Sequence, residues 1–170
     1  MMKIIKSRIF SGKRVILATA LILLFSTAVH AQSKAQDTEK MIREMYRLLN
    51  EQKFDEAAVN VSPAFVDHIM MEGQKPGLEG VRDLFKTMWK AFPDLKQDII
   101  ELIVNEDGTR VCALVRMYGT HKGEFMGMPA TNNKIDVPAS DIILLKEGKI
   151  TDHWGFIDTE TFMKQLNTGK

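Results

Sequence analysis

Asp141 stands in the run Val137-Pro138-Ala139-Ser140-Asp141-Ile142-Ile143-Leu144-Leu145. On a period of two it shares a face with Val137, Ala139, Ile143 and Leu145. A carboxylate on an apolar face is costly to bury unless it is paired or protonated. Desolvation moves such a group toward the range useful to a general acid or base. The plainer alternative is an aspartate at a sheet edge, paired to Arg116 or to water. A second cluster, "TDHWGFID", runs from Thr151 to Asp158. Asp152, Trp154 and Phe156 alternate there with Thr151, His153, Gly155 and Ile157, so one set faces a core and the other faces solvent or a partner. Trp154 reads either as core filler or as a ligand contact. Asp158 falls where a strand gives way to a helix, the place of an N-cap, which does not exclude a role at a cavity mouth.

A third stretch, "YGTHKGEFMGMPAT" (residues 118–131), holds three of the chain's eleven glycines. That is more than a hairpin turn needs. Glycine permits close backbone approach and positive φ, so this connection is expected to fold over a cavity rim, with Thr120 and His121 pointing inward. In Asp67-His68 the two side chains face opposite sides of a short strand, so only one points in.

Other chemistries lack their residues. The chain has no glycine-rich phosphate loop, no HExxH, no cysteine pair and no GxSxG. Three histidines follow residue 31, at 68, 121 and 153, without metal-ligand spacing. Neither a metal nor a cofactor is expected, which leaves acid–base chemistry or ligand binding. Nine methionines beyond residue 31, Met126 among them, suit a soft apolar wall and ordinary core packing equally well. The single cysteine, Cys112, lies in an apolar run and is expected to be a buried, inert thiol.

The elements that position these groups follow from periodicity. Asp37 or Thr38 can cap a first helix whose apolar stripe is Met41, Ile42, Met45, Leu48 and Leu49. A second helix is expected over 54–60, stopped by Pro63. A short strand over 64–70 and a third helix over 78–91 follow, the latter ended by Phe92-Pro93. Apolar runs at 95–105, 109–120, 134–145 and 149–157, punctuated by "NEDG" and "KEGK", read as four consecutive strands. A last helix covers 159–166. Consecutive hairpins imply an antiparallel sheet with helices on one face, an α+β fold. Such a sheet is either flat and covered, or curled around the helices with a hollow end.

Residues 1–31 stand apart. "MMKIIKSRIFSGKR" carries five basic residues and no acid, and "VILATALILLFSTAV" is an uncharged run of fifteen. Val29-His30-Ala31 then offers a small-x-small cleavage site. A secretory signal cleaved after Ala31 is expected, hence a periplasmic or secreted protein; the run is shorter than the ~20 residues of a spanning helix. The remaining chain has 18 basic and 22 acidic residues, a net −4 that argues against nucleic acid and anionic membrane as partners. Residues 32–37 are polar and expected to be loose.

Three separated motifs are similar to those of the SnoaL-like polyketide cyclase family, also called ester cyclases. They are Gly77, Gly80 and Phe85 leading to Ala91-Phe92-Pro93-Asp94; Gly119 through Thr131; and Gly148 through Asp158. The resemblance covers about residues 38–168. It implies the cone-shaped α+β barrel of the nuclear transport factor 2-like superfamily, with helices packed in a curved antiparallel sheet. It also implies ring closure of an aromatic polyketide by aldol chemistry without metal or cofactor, using a cavity aspartate helped by a histidine. The matching positions are Asp141 and Asp158, and His121 and His153; which aspartate serves stays open. His68, Trp89, Tyr118, Thr120, Met126, Trp154 and Phe156 are the expected contacts to a small apolar molecule. The family also suggests a homodimer through the open sheet face. The alternative to an enzyme is a pocket that binds a small hydrophobic molecule without turning it over.

Overall fold

The computed structural model describes residues 34–167. The expected export signal lies outside them. Helix α1 occupies 34–50, so Asp37 and Thr38 lie within it rather than capping it, and residues 34–37 are helical. Thr38 Oγ1 instead donates to the Gly108 carbonyl at 2.8 Å, tying the helix to a hairpin turn. A short helix α2 (Phe54–Ala57) continues into a 3₁₀ turn, Ala58–Asn60. Strand β1 spans Val61–Asp67 and α3 Gly77–Ala91. Strands β2 (Lys96–Val104), β3 (Arg110–Thr120), β4 (Lys134–Lys146) and β5 (Lys149–Ile157) precede α4 (Thr159–Leu166).

The architecture is α+β, with one five-stranded sheet in the order β1-β5-β4-β3-β2. It is mixed rather than purely antiparallel, because β1 lies parallel to β5 while the four later strands pair as antiparallel neighbours. The parallel pairing is possible because α3 and three strands separate β1 from β5. Strand β1 also begins at residue 61, not 64, and Pro63 lies inside it. An edge strand tolerates proline, and the register shifts between Val61 and Val66. Pro138 sits in β4, an inner strand. Its carbonyl accepts from the Asp158 N–H at 3.3 Å, so its missing N–H falls on the same side, just past the last β4–β5 pair, Ala139–Ile157.

Strand β3 alternates between buried residues and exposed or half-buried ones. Val111, Ala113 and Val115 face inward against Ile42 and Tyr46 of α1, and Ile143, Leu145 and Ile150 complete that core. A second core gathers Phe92, Leu95, Phe125, Phe162 and Leu166, and a third packs Leu48, Leu49, Phe54 and Ala57. Cys112 points to the opposite face of the sheet, which is uncovered among the described residues, and is exposed, not buried. Beside it Ile103, Leu114 and Ile142 are also exposed. The alternation was legible, but only the pairing of α1 with the sheet decides which set turns inward.

Helix α3 ends at Ala91 because Phe92, ahead of Pro93, leaves the helical region at φ −130°, ψ 82°. The glycine-rich connection is explained by what it packs on. Lys122 and Gly123 both donate to the Ala91 carbonyl, at 2.8 and 3.0 Å. A Cβ on Gly123 would lie 2.4 Å from the Lys90 carbonyl oxygen. Met126 (φ 50°) and Gly127 (φ 76°) form a tight turn closed by hydrogen bonds between Phe125 and Met128. Gly123→Ala is expected to cost about 1–3 kcal/mol by forcing this connection off the helix end, read as a lowered thermal midpoint; an unchanged midpoint contradicts the close-approach reading.

Candidate active site

Between the helices and the inward sheet face lies a cavity of about 460 Å³. Its wall is mostly apolar. Phe54, Phe65, Phe85, Phe125 and Phe162 contribute rings, and Met45, Met70, Met71, Met88, Met117 and Met126 contribute thioethers. No lysine or arginine lines it among the described residues, and its ionisable groups are Tyr46, Asp67, Asp141 and His153.

These four form one hydrogen-bonded chain. His153 faces inward from β5. Its Nε2 lies 3.0 Å from Asp141 Oδ1 and its Nδ1 3.1 Å from Asp67 Oδ1. The Tyr46 hydroxyl, from α1, donates to Asp141 Oδ2. Gln74 Nε2 donates to Asp67 Oδ2 at 2.9 Å. The backbone sets this up: Asp67 is the register partner of His153 across β1 and β5, and Asp141 is the partner of Gly155 across β4 and β5. Gly155 leaves space for the imidazole to lie across, since a Cβ there would stand 2.9 Å from His153 Cε1.

Burial pulls the His153 pKa down, but the hydrogen bonds and charges of Asp141 and Asp67 outweigh it and raise it to about 9. At neutral pH the ring is an imidazolium donating from both nitrogens, one to each carboxylate. Burial pushes the Asp67 carboxyl up; His153, Gln74 and the Ile69 backbone N–H outweigh this and hold it below the usual range. Burial, then the charge and hydrogen bond of Asp141, push the Tyr46 phenol far above its ordinary value, so it stays a donor. Because the folded His153 pKa lies above its ordinary 6.5, its stabilisation is complete below that pH and is lost as pH rises through about 9. The difference amounts to about 3 kcal/mol. Urea unfolding should therefore show stability falling between pH 6.5 and 9; a flat profile there contradicts the charged-imidazole assignment.

The chain matches the model of the SnoaL-like polyketide cyclase family over residues 39–166. The chain belongs to that family. Membership supports a cyclase-type function, and the structural neighbours share the nuclear transport factor 2-like fold. This SnoaL-like chain is 27% identical over 128 residues to the aklanonic acid methyl ester cyclase DnrD of Streptomyces peucetius, covering 74% of this chain and 88% of that one. Among solved structures it is similar to AclR of Streptomyces galilaeus (TM-score 0.69, 23% identity, covering 80% of this chain and 99% of that one). It is likewise similar to a SnoaL-like polyketide cyclase of Agrobacterium tumefaciens (TM-score 0.64, 24% identity, 76% and 98%).

Of the residues singled out in the sequence of this SnoaL-like protein, Asp141, His153, Met126 and Phe156 line the cavity. Asp141 is paired with Tyr46 and His153, not with Arg116, whose guanidinium pairs with Asp136. Asp158 caps α4, accepting from Thr161 N at 3.0 Å, and is exposed. His121 is fully buried but outside the cavity lining. It stacks on Phe92 with ring centroids 5.1 Å apart, and its Nδ1 accepts from Thr131 N at 3.3 Å. Burial holds its pKa down. It pins the 121–133 connection rather than pointing inward. Thr120, also expected to point inward, is held by Asp94. His68 turns outward, pairs with Asp152 and stacks on Trp154 with centroids 4.0 Å apart. Trp89 packs on Phe85, and Tyr118 lies under the Arg116 guanidinium; neither lines the cavity.

Of the pair Asp67-His68, left open in the sequence, it is Asp67 that points in and not His68, which was the expected ligand contact; Tyr46 and Gln74 were missed. Tyr46 carried a signal: it lies one helical turn after Ile42 on the buried stripe, and a buried phenol needs a hydrogen-bond partner.

Proposed function

We propose that this protein is an exported, cofactor-free cyclase that performs acid–base chemistry on a small apolar carbonyl or ester compound in its cavity. The observation that carries this reading is the His153 imidazole held between Asp141 and Asp67 at the edge of an apolar hollow. Asp141 accepts a proton from a carbon α to a carbonyl, and the C–H electron pair becomes an enolate. As Asp141 becomes neutral, its hydrogen bond from His153 weakens, and the Nε2–H turns to the enolate oxygen. The enolate carbon attacks a second carbonyl of the same molecule, forming a C–C bond, and the resulting alkoxide takes the proton back from Asp141. Product and substrate are isomers, and the carboxylate is restored. The relative DnrD is named for cyclising a methyl ester, a compound of the class proposed here.

The test is ring closure of aromatic methyl esters bearing a ketone side chain, followed as a product of unchanged mass. Turnover by the wild type that is lost in Asp141→Asn supports the reading. Tight binding without turnover, unchanged in that variant, favours the second reading, a carrier of small hydrophobic molecules, which the methionine-rich wall also suits.

Export rests on the basic, apolar and small-residue pattern of residues 1–31. It argues for a substrate met outside the cytoplasm, unlike intermediates of polyketide assembly made inside. N-terminal sequencing of the exported protein should begin at Gln32; a retained residue 1 contradicts it. The uncovered sheet face with Ile103, Leu114 and Ile142 is the surface for a homodimer, and sedimentation as a strict monomer removes that part of the proposal.

A further inference from the structure

Asp67 does not touch the side of His153 that faces Asp141. It binds the opposite nitrogen, and it is the more enclosed of the two carboxylates, with a side chain 4% exposed against 18% for Asp141. Its other oxygen is held by Gln74, which belongs to neither the sheet nor a helix. Gln74 in turn organises its own segment. Its Oε1 accepts from the Met71 N–H at 3.0 Å, and its backbone N–H donates to the Met71 carbonyl at 3.0 Å. The Ile69 N–H also reaches Asp67. Ile69, Met70 and Met71 line the cavity, yet Ile69 and Met70 remain 47% and 49% exposed. The segment thus forms one wall of the cavity, and its hydrogen bonds converge on the carboxylate behind the imidazole. Gly80 lets it sit tightly on α3: a Cβ there would fall 1.7 Å from the Lys75 carbonyl oxygen.

We propose that Asp67 is a positioning residue for His153, and that Gln74 links the seating of the 69–74 wall segment to the charge and orientation of that imidazole. The proposal rests on the assignment of His153 to the reacting end of the cavity. Asp67 fixes the ring so that Nε2–H is directed at Asp141. Gln74 keeps Asp67 aimed at Nδ1 only while the segment is seated. A ligand that packs against Met70 and Met71 favours the seated segment, and with it the doubly donating ring. The charged and titratable groups facing His153 are Asp67 from β1 and Asp141 from β4, with Tyr46 of α1 acting through Asp141.

The test is a titration of the ¹⁵N-labelled His153 ring by NMR in the folded wild type, in Asp67→Asn and in Gln74→Ala. Asp67→Asn keeps an oxygen for Nδ1–H but removes the charge, and the midpoint should fall by about 1 unit or more. Gln74→Ala should lower it by less, and amide exchange over 69–74 should quicken. An unmoved His153 midpoint in either variant overturns the relay. Gln74 lies at the surface end of the chain of contacts, so its variant remains informative if Asp67→Asn does not fold. No substrate is involved. A protein that closes no ring but shows both shifts would contradict the proposed function and leave the relay standing.

Discussion

Replacing His153 with alanine should destabilise the protein by about 3–5 kcal/mol at pH 7, because it leaves two carboxylates facing each other's charge without their shared cation. Asp67 is 6% exposed and cannot turn to water without moving β1 or the 69–74 segment. The deficit relative to wild type should depend on pH in a specific way. As pH falls toward 4, protonation relieves the stranded carboxylates in the variant; only below about 4 does the wild type lose the advantage that Asp67 gains from its lowered pKa. As pH rises through about 9 the wild-type ring itself becomes neutral. The difference in urea midpoint should therefore be largest near neutrality and shrink on both sides. A deficit independent of pH would mean that His153 contributes packing against Phe65 and nothing electrostatic.

Asp141→Asn is expected to act on chemistry more than on stability. The amide has the same shape and still offers an oxygen to Tyr46 or His153, but it is not a base. Loss of a positioned general base lowers turnover by about 10²–10⁴-fold, or about 3–5 kcal/mol of barrier. Affinity for the apolar substrate should change little, since the wall supplies most of the contact area. A fall confined to KM, with kcat intact, would show that Asp141 holds the substrate without touching its proton. Asp158→Ala makes a useful control: it removes the cap of α4, at a cost of about 1 kcal/mol, and should leave turnover unchanged.

How much of this could be read beforehand differs by residue. Asp141 was legible as a candidate because strand alternation is local: it places Val137, Ala139, Ile143 and Leu145 on the same face, and the docking of α1 then turns that face inward. His153 was not legible in this way: alternation in β5 left open which set faces inward, and only the family resemblance singled it out, without its partners. The sequence separation explains the gap. Asp67 and His153 are 86 residues apart, and they meet only because β1 adds to the sheet in parallel beside β5. That pairing has no hairpin to announce it, so the choice between Asp67 and His68 could not be made from alternation alone. Tyr46 and Asp141 are separated by 95 residues and meet through the docking of α1, equally invisible to local pattern. His121 shows the opposite error. The glycines around it do report close backbone approach, but to the end of α3 rather than to a ligand. Glycine spacing reveals crowding without saying what does the crowding. The N-cap at Asp158 was readable because capping is decided within three residues.

The account stands on an ionised His153–Asp141 pair meeting the oxygen of an enol-forming substrate inside the cavity. A complex with 2-naphthol, a stable aromatic enol of the required size, tests it most directly, since an active site should hold a mimic of its intermediate more firmly than a bystander. The naphthol oxygen should lie about 3 Å from Asp141 or His153 Nε2, with the rings against Phe65, Phe85 and the methionines. A naphthol bound with its oxygen turned away from both groups, or lodged only on the outer sheet face, would contradict it.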